Sequence, residues 1–308
     1  MSIRASFIRL FRHTGFILAL AIVVGLAFGQ AASWTEPAVT PVLGLVMTLS
    51  IIGISPGIFL DLKKLLLPIL LSLVLNYVVL TGTFIGLASV LIQDYEIWTG
   101  FVIVAAVPPA VAVIPFTYRL GGNTNFSLVG AVATYLAALV ITPLICILFL
   151  GVNFFSPWSL LVILAELIIA PLIVSGILRR TGIASKLERY RGSIVNWGFF
   201  LVIYTVIGLN RDAFLEDPVT LLRVSGVAFA GTFVLIYLIN RISRFLGVKR
   251  PDRISLVLLG ATKNYGLAAA IALTFFDSRV AMPSAVASTF FIASLIWLTL
   301  WVKRWGEE

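Results

Sequence analysis

Cysteine and histidine each occur once in the 308 residues, as Cys146 and His13. A single cysteine rules out an intramolecular disulfide and any cysteine-based metal site. A single histidine leaves no metal-spaced cluster, and His13, at a helix start, reads as a solvated side chain. Acidic residues number only 13, and charged residues of both signs make up 11%, against roughly a quarter in soluble domains. No nucleophile elbow, phosphate loop or pair of carboxylates on facing segments is present, so the chain is not read as an enzyme. Low-complexity tracts are missing too, and the longest linker is the stretch from Arg179 to Ser193.

What fills the chain is apolar: 60% of residues are hydrophobic and the mean hydropathy is +1.10. A bilayer core about 30 Å thick needs about 20 apolar residues per helix. Ten candidate spans satisfy that template: Gly15 to Ala32, Pro37 to Leu60, Leu66 to Ile92, Ile97 to Leu120, Asn125 to Leu150, Pro157 to Leu178, Ile194 to Leu209, Val219 to Asn240, Ile254 to Phe276 and Val280 to Val302. The expected fold is an all-α polytopic membrane protein, a single membrane domain over residues 1–308 embedded in the lipid bilayer. The net charge of +9 does not point to nucleic acid, because the basic residues sort by side. With the N-terminus inside, eighteen fall on the cytoplasmic face, among them Arg4, Arg9, Arg12, Arg119, Arg179, Arg191, Arg250 and Arg304. Only Arg211, Arg223 and Arg279 fall on the other. The positive-inside rule then places both termini in the cytoplasm of a bacterial-type plasma (inner) membrane.

Five spans precede Leu150 and five follow Pro157. An odd number per half turns the second copy upside down, so residues 14–150 and 157–303 are expected to form two inverted repeats. Such folds carry their sites on discontinuous helices at matching positions. The fourth span contains Pro108, Pro109 and Pro115, and the ninth reads Gly-Ala-Thr-Lys-Asn-Tyr-Gly from Gly260 to Gly266. Proline lacks an amide hydrogen and clashes with the carbonyl a turn earlier, which predicts an opening between Pro109 and Pro115. Unwound backbone at membrane depth persists only where it is buried in protein or lines a cavity. Lys263 sits in the second break, and an ammonium in the bilayer costs a few kcal/mol or more without a partner or a wet cavity. Together with the partial positive charge at half-helix N-termini, Lys263 makes this crossing an expected site for a small organic anion of carboxylate type.

The run Thr-Lys-Asn-Tyr-Gly-Leu-Ala-Ala-Ala-Ile-Ala-Leu-Thr-Phe-Phe (Thr262 to Phe276), followed by Met282-Pro-Ser-Ala-Val, resembles the ninth and tenth helices of the bile acid:sodium symporter superfamily. The segment from Val-Pro-Pro to Phe-Thr-Tyr-Arg-Leu-Gly-Gly-Asn123 is similar to that family's fourth-to-fifth segment. The resemblance runs from about Pro41 to Trp301. It implies ten helices divided into a panel and a core domain, with broken helices 4 and 9 crossing in the core. Several positions depart from the pattern. Sodium-coupled members carry a carboxylate four residues before an amide on the ninth helix, where this chain has Leu259 and Lys263. A Ser-Asn pair on the fourth helix is matched by Val113 and Ile114. Of two hydroxyls on the fifth helix, Ser127 remains and Ala131 replaces the other, while Asn76 keeps its amide on the third. The His-Asn pair of the tenth helix corresponds to Phe291 and Ile292. An ammonium in place of a carboxylate repels sodium, so no sodium, metal or other cofactor is expected.

The resulting reading is a secondary transporter of a small organic anion working by alternating access, proton-coupled or facilitative. Lys263, Thr262, Asn264, Asn76, Ser127, Pro108, Pro109 and Pro115 are the expected binding or coupling residues. Lys263 either stands permanently where a cation would bind, carries a coupling proton, or pins freed carbonyls as a structural element. Glu166 is the other deep charge, read as a partner for Lys263, a hydrated cavity wall or a protonated carboxyl. Thr134, Tyr135, Thr142 and Thr205 read as ordinary helix hydroxyls, and Trp297, Trp301 and Trp305 as an interfacial aromatic belt. Two alternatives stay open: an auxin-efflux-carrier-like exporter of the same architecture, and a membrane sensor or scaffold that keeps the fold without flux.

Overall fold

The computed structural model describes residues 14–52, 62–151 and 156–305. Arg4, Arg9, Arg12, His13, Asp61 and the end of the second expected span lie outside them. Among the described residues all regular structure is helical, as hydrocarbon requires of segments that must satisfy their backbone internally. The helices are α1 (Thr14–Ala27), α2 (Val39–Ile51), α3 (residues 62–91), α4 (Tyr95–Ala106), α5 (Val113–Arg119), α6 (Thr124–Leu150), α7 (residues 157–180), α8 (Ile183–Leu209), α9 (Pro218–Phe245), α10 (Arg250–Gly260), α11 (Tyr265–Phe275) and α12 (Ser278–Trp301). Seven helical segments of the described residues, α10 with α11 counted as one, are long and apolar enough to cross a bilayer. The protein is a polytopic membrane protein.

Local sequence explains where these helices begin. Asp94, Asn123, Asp217 and Asn264 each accept an amide of the helix that follows, capping α4, α6, α9 and α11. Pro218 at the first position of α9 fits because its missing N–H would have no partner there. Gly151 (φ 85°) ends α6 in a backbone conformation that a side chain would strain. Wide π turns interrupt α3 at Val74–Leu80, α7 at Ala165–Ile169 and α9 at Ala230–Val234. Such turns re-aim side chains and leave carbonyls free for other donors.

Several boundaries differ from the sequence expectation. The first helix stops at Ala27, and short helical turns carry the chain through a 93° bend into α2. The polar stretch from Arg179 to Ser193 is helical apart from the Thr181–Gly182 turn, because Lys186, its arginines and Glu188 are good helix formers. Glu188 and Arg191 pair one turn apart at 3.2 Å on the extended α8. The expected aromatic belt is a packed ladder: Trp297 stacks on Trp301 at 4.5 Å and meets Phe233 of α9, while Trp305 is buried.

The helices pack in two groups. Helices α1, α2, α7 and α8 contact one another, and α3, α4, α5, α6, α9, α10, α11 and α12 form the second group. The broken pair α10–α11 is central, with 89% of its most apolar window buried, against 28–39% for α3, α6, α7, α8 and α9. The outer helices turn Leu66, Leu70, Val140, Leu144, Ile173 and Leu222 outward, as a lipid-facing surface requires. Close helix approach rests on glycine: a Cβ on Gly100 of α4 would meet the Val280 carbonyl of α12 and come within 2.8 Å of the Pro283 ring, whereas one on Gly82 of α3 would meet nothing. Gly100→Val should therefore cost about 1–3 kcal/mol of stability, and Gly82→Ala should leave the melting temperature in detergent unchanged or raise it. Equal melting of the two variants would contradict this packing.

Candidate functional site

Two unwound segments meet in the second helix group. Val107 is extended (ψ 156°), as the residue before a proline must be, and Pro108 and Pro109 stop α4. Pro115 lies in the first turn of α5, so it starts the second half-helix rather than kinking it. On the other strand of the crossing α10 ends at Gly260, and Asn264 caps α11 by accepting the Leu267 amide at 3.1 Å. The opening predicted between Pro109 and Pro115 thus spans residues 107–112, matched by residues 261–264.

Six freed carbonyls at these breaks find a donor besides Lys263, in keeping with the demand that buried backbone groups be paired. Thr81 Oγ1 donates to Ala105 O at 2.7 Å and Thr142 Oγ1 to Ala106 O at 2.8 Å. The Asn264 amide donates to Pro108 O at 2.8 Å, which ties one break directly to the other. The Tyr135 hydroxyl donates to Pro109 O at 2.9 Å and accepts from Asn264 Nδ2 at 3.1 Å. Asn76 Nδ2 donates to both Leu259 O and Thr262 O at 3.1 Å. Tyr135 and Thr142 are therefore part of the site, contrary to their reading as ordinary hydroxyls. Thr134 does remain local, bonding carbonyls of its own helix, whereas the Thr205 hydroxyl bonds Leu201 O of its own helix and also Thr35 Oγ1, at 2.6 Å, in the turns that join α1 to α2.

Lys263 is fully buried, and its ammonium faces four oxygens: Asn76 Oδ1 at 2.8 Å, Val107 O at 3.0 Å, and Asn76 O and Thr81 Oγ1 at 3.1 Å. It also lies 4.8 Å from the centre of the Tyr77 ring, within cation–π range. Asn76 and Tyr77 belong to the π turn of α3, and the Asn76 carbonyl accepts the Thr81 amide of that turn as well as the ammonium. The cation sits where α4 and α10 end, among carbonyls and the negative ends of the helix dipoles.

A cavity of about 580 Å³ separates the two helix groups. Leu49, Asn196 and Phe199 line one wall, Ile114, Tyr265 and Phe291 the other, and Arg119 and Arg191 stand on its border. Pro115 and Asn264 reach it, as does the backbone around Lys263. Asn76 and Ser127 are buried and do not border it; Ser127 is paired with Thr117 at 2.8 Å. The Thr262 hydroxyl bonds Leu258 O. Glu166 is exposed on α7 and is not among the partners of Lys263, so the suggested ion pair is absent among the described residues. It lies within the π turn at Ala165–Ile169.

Two ties fix the ends of the broken spans. At the start of α6, Asn123 binds Pro251 O at 2.9 Å through its amide and Asp252 at 2.7 Å through its side chain. At the start of α12, Arg279 binds Asp94 at 2.7 Å and Glu96 at 3.4 Å, both at the start of α4. Burial opposes ionisation of Asp94, but the Ile97 amide, Arg279 and the Glu96 amide together hold its carboxyl below the usual range.

Residues 10–297 match a family of membrane transporters over nearly the whole described structure. The chain belongs to the SBF-like CPA transporter family. A Bacillus subtilis protein named as an uncharacterized sodium-dependent transporter, YocS, is 24% identical over 295 residues, which cover 92% of this chain and 88% of that protein. Membership in the SBF-like CPA transporter family makes the protein an integral membrane transporter-family member and accords with the absence of enzyme motifs.

Two outcomes test this geometry. Tyr135→Phe removes one acceptor and one donor shared by the breaks and should lower stability by about 1–3 kcal/mol, read as thermal unfolding in detergent against Thr205→Ser, which should change little. A carboxyl held low in the fold stabilises above its unfolded pKa of roughly 3.9 and loses that effect as pH falls through the lower folded value. Asp94→Asn keeps the helix cap and removes the charge. Its melting deficit should therefore be visible at pH 7 and fade below about pH 4; a deficit independent of pH would argue against the Arg279 tie.

Proposed function

We propose that the protein is a secondary transporter that moves a small organic anion of carboxylate type by alternating access, independently of sodium. The carrying observation is the Lys263 ammonium inside a cage of four oxygens at the carbonyl ends of two half-helices. That is the environment in which a transporter of this architecture coordinates its coupling cation. A second cation 4 Å away would be repelled by about 4 kcal/mol at an effective dielectric of roughly 20. Lys263 therefore stands in place of a bound cation, and the anion takes the cavity beside the capped start of α11. The name of the Bacillus subtilis relative raises the opposite expectation of sodium dependence, and the experiment below separates the two.

Ten spans in two inverted repeats, residues 14–150 and 157–303, accommodate the described helices when α4–α5 and α10–α11 each count as one broken span. Three correspondences support this arrangement. The breaks fall in the fourth and ninth positions; π turns fall in the third and eighth; and the Asn123–Asp252 tie answers the Arg279–Asp94 tie with the roles of the halves exchanged. In this reading α1, α2, α7 and α8 are the panel and the other helices the core. The cavity bordered by Arg119 and Arg191 opens to the cytoplasmic face of a bacterial-type plasma membrane, with both termini on that side.

Purified protein in liposomes should accumulate or exchange at least one member of a panel of labelled organic acids in sodium-free buffer, at a rate unchanged by added sodium. Uptake that required sodium would reject the reading. Lys263→Gln separates the roles of the lysine: a coupling group leaves a folded protein with a flattened dependence of transport on pH, whereas a structural pin leaves little folded protein in the membrane.

A further inference from the structure

Three basic residues, Lys263, Arg119 and Arg191, border the 580 Å³ cavity, and no aspartate or glutamate lines it. The Lys263 ammonium is buried among oxygens, none of them a carboxylate, so its charge is solvated but not cancelled. Arg119, the last residue of α5, is exposed and its side chain makes no ion pair among the described residues. Arg191 has one carboxylate partner there, Glu188, at 3.2 Å, with 31% and 60% of the two side chains exposed. An exposed pair of that kind contributes little, so Arg191 can turn to a ligand. Three cations against one carboxylate leave an excess of two positive charges around one cavity.

The two charges stand at opposite ends. Arg191, Val195, Phe199 and Val202 follow one another along a face of α8 and line the cavity. Val202 marks the inner end, since its Cγ1 would lie 3.9 Å from a Cβ on Gly266 in the first turn of α11. Arg191 is eleven residues of unbroken helix away, about 16 Å along the axis. Helix α5 likewise leads away from the crossing, from Val113 beside the first break to Arg119. Between these ends both helices turn apolar side chains to the cavity, Val195 and Phe199 from α8 and Ile114 and Phe116 from α5. A monocarboxylate answers one end and leaves the other unmatched. We propose that the cavity takes a linear dicarboxylate: one carboxylate at the start of α11, within the field of Lys263, a hydrocarbon spacer along Phe199, and the second carboxylate between Arg119 and Arg191. Guanidinium groups suit that place because their planar forks bind carboxylates through paired N–H donors. The inference rests on the anion-transport reading for the inner carboxylate and adds the outer one.

The test uses the full chain in detergent at low ionic strength, with labelled octanedioate, octanoate, butanedioate and butanoate as probes. Wild type should bind octanedioate roughly tenfold or more tighter than octanoate, the scale of one hydrogen-bonded charge. Butanedioate, too short to reach both ends, should show a smaller advantage over butanoate. Arg119→Gln should remove the preference for octanedioate and leave octanoate binding unchanged. Arg180→Gln, which removes an exposed charge that does not line the cavity, should keep the preference. Without ligand both variants should melt as wild type does. Equal binding of octanedioate and octanoate, no octanedioate binding, an advantage as large for butanedioate, an equal loss in Arg180→Gln, or a destabilised ligand-free Arg119→Gln would each overturn the proposal. Selective octanedioate binding in a protein without flux in liposomes would sink the transport reading and leave this inference standing. Sodium-independent flux of a monocarboxylate without any preference for octanedioate would do the reverse.

Discussion

An ammonium buried at membrane depth must be surrounded by oxygen, and that requirement organises the centre of this protein. Lys263 can be fully buried only because α3 supplies Asn76 and Thr81 and the opened fourth span supplies the Val107 carbonyl. Each of those groups has a second duty. Asn76 also caps the end of α10, and Thr81 also caps α4. Losing the lysine therefore disturbs both breaks, and closing either break would leave the lysine without acceptors. This mutual dependence holds two non-helical segments open where hydrocarbon would otherwise force them into continuous helices.

The same arrangement separates polarity. Carbonyl ends converge on the cation, and the capped start of α11 faces the cavity. In the proposed function the crossing offers a cation site and an anion site a few residues apart, without a carboxylate among the residues that line the cavity. The two starting ties, at Asn123 and at Arg279, join the outer ends of the broken spans to each other's neighbours. Alternating access of the proposed kind moves the site past the other helix group without rebuilding it.

Much of this was legible in the sequence, and the limits have physical causes. Prolines 108, 109 and 115 announce a break because their chemistry is local. Lys263 announces a site because a mid-bilayer charge is expensive wherever it stands. Its cage was not legible: Asn76 lies 187 positions away, and α3 reads as an uninterrupted apolar helix with no mark of the π turn that holds Asn76. Tyr135 and Thr142 looked like any membrane-helix hydroxyl, since such groups usually bond their own helix, as Thr134 does. Only a fold shows which hydroxyls find a foreign carbonyl. Glu166 misled for the converse reason: a run of apolar residues does not say which face of its helix a carboxyl occupies, and this one stands on an exposed face of α7.

A tethered cation changes the energetics of a transport cycle in a definite way. A carrier that binds sodium with its anion gains or loses both charges together, so its empty and loaded sites can each be neutral. A carrier whose cation is a protonated lysine holds one positive charge when empty and is neutralised when a monovalent anion binds. Moving one charge through the membrane potential is worth about 2.3 kcal/mol per 100 mV. The potential then acts on the empty carrier's return rather than on the loaded step, unless the lysine releases its proton first. Proton release cancels the charge of the empty state and converts the same lysine from a fixed counter-charge into the coupling group. The two modes share one structure and differ only in when the ammonium keeps its proton, so under the proposed function the cage around Lys263, which sets the stability of the charged form, would govern whether the cycle responds to voltage or to pH.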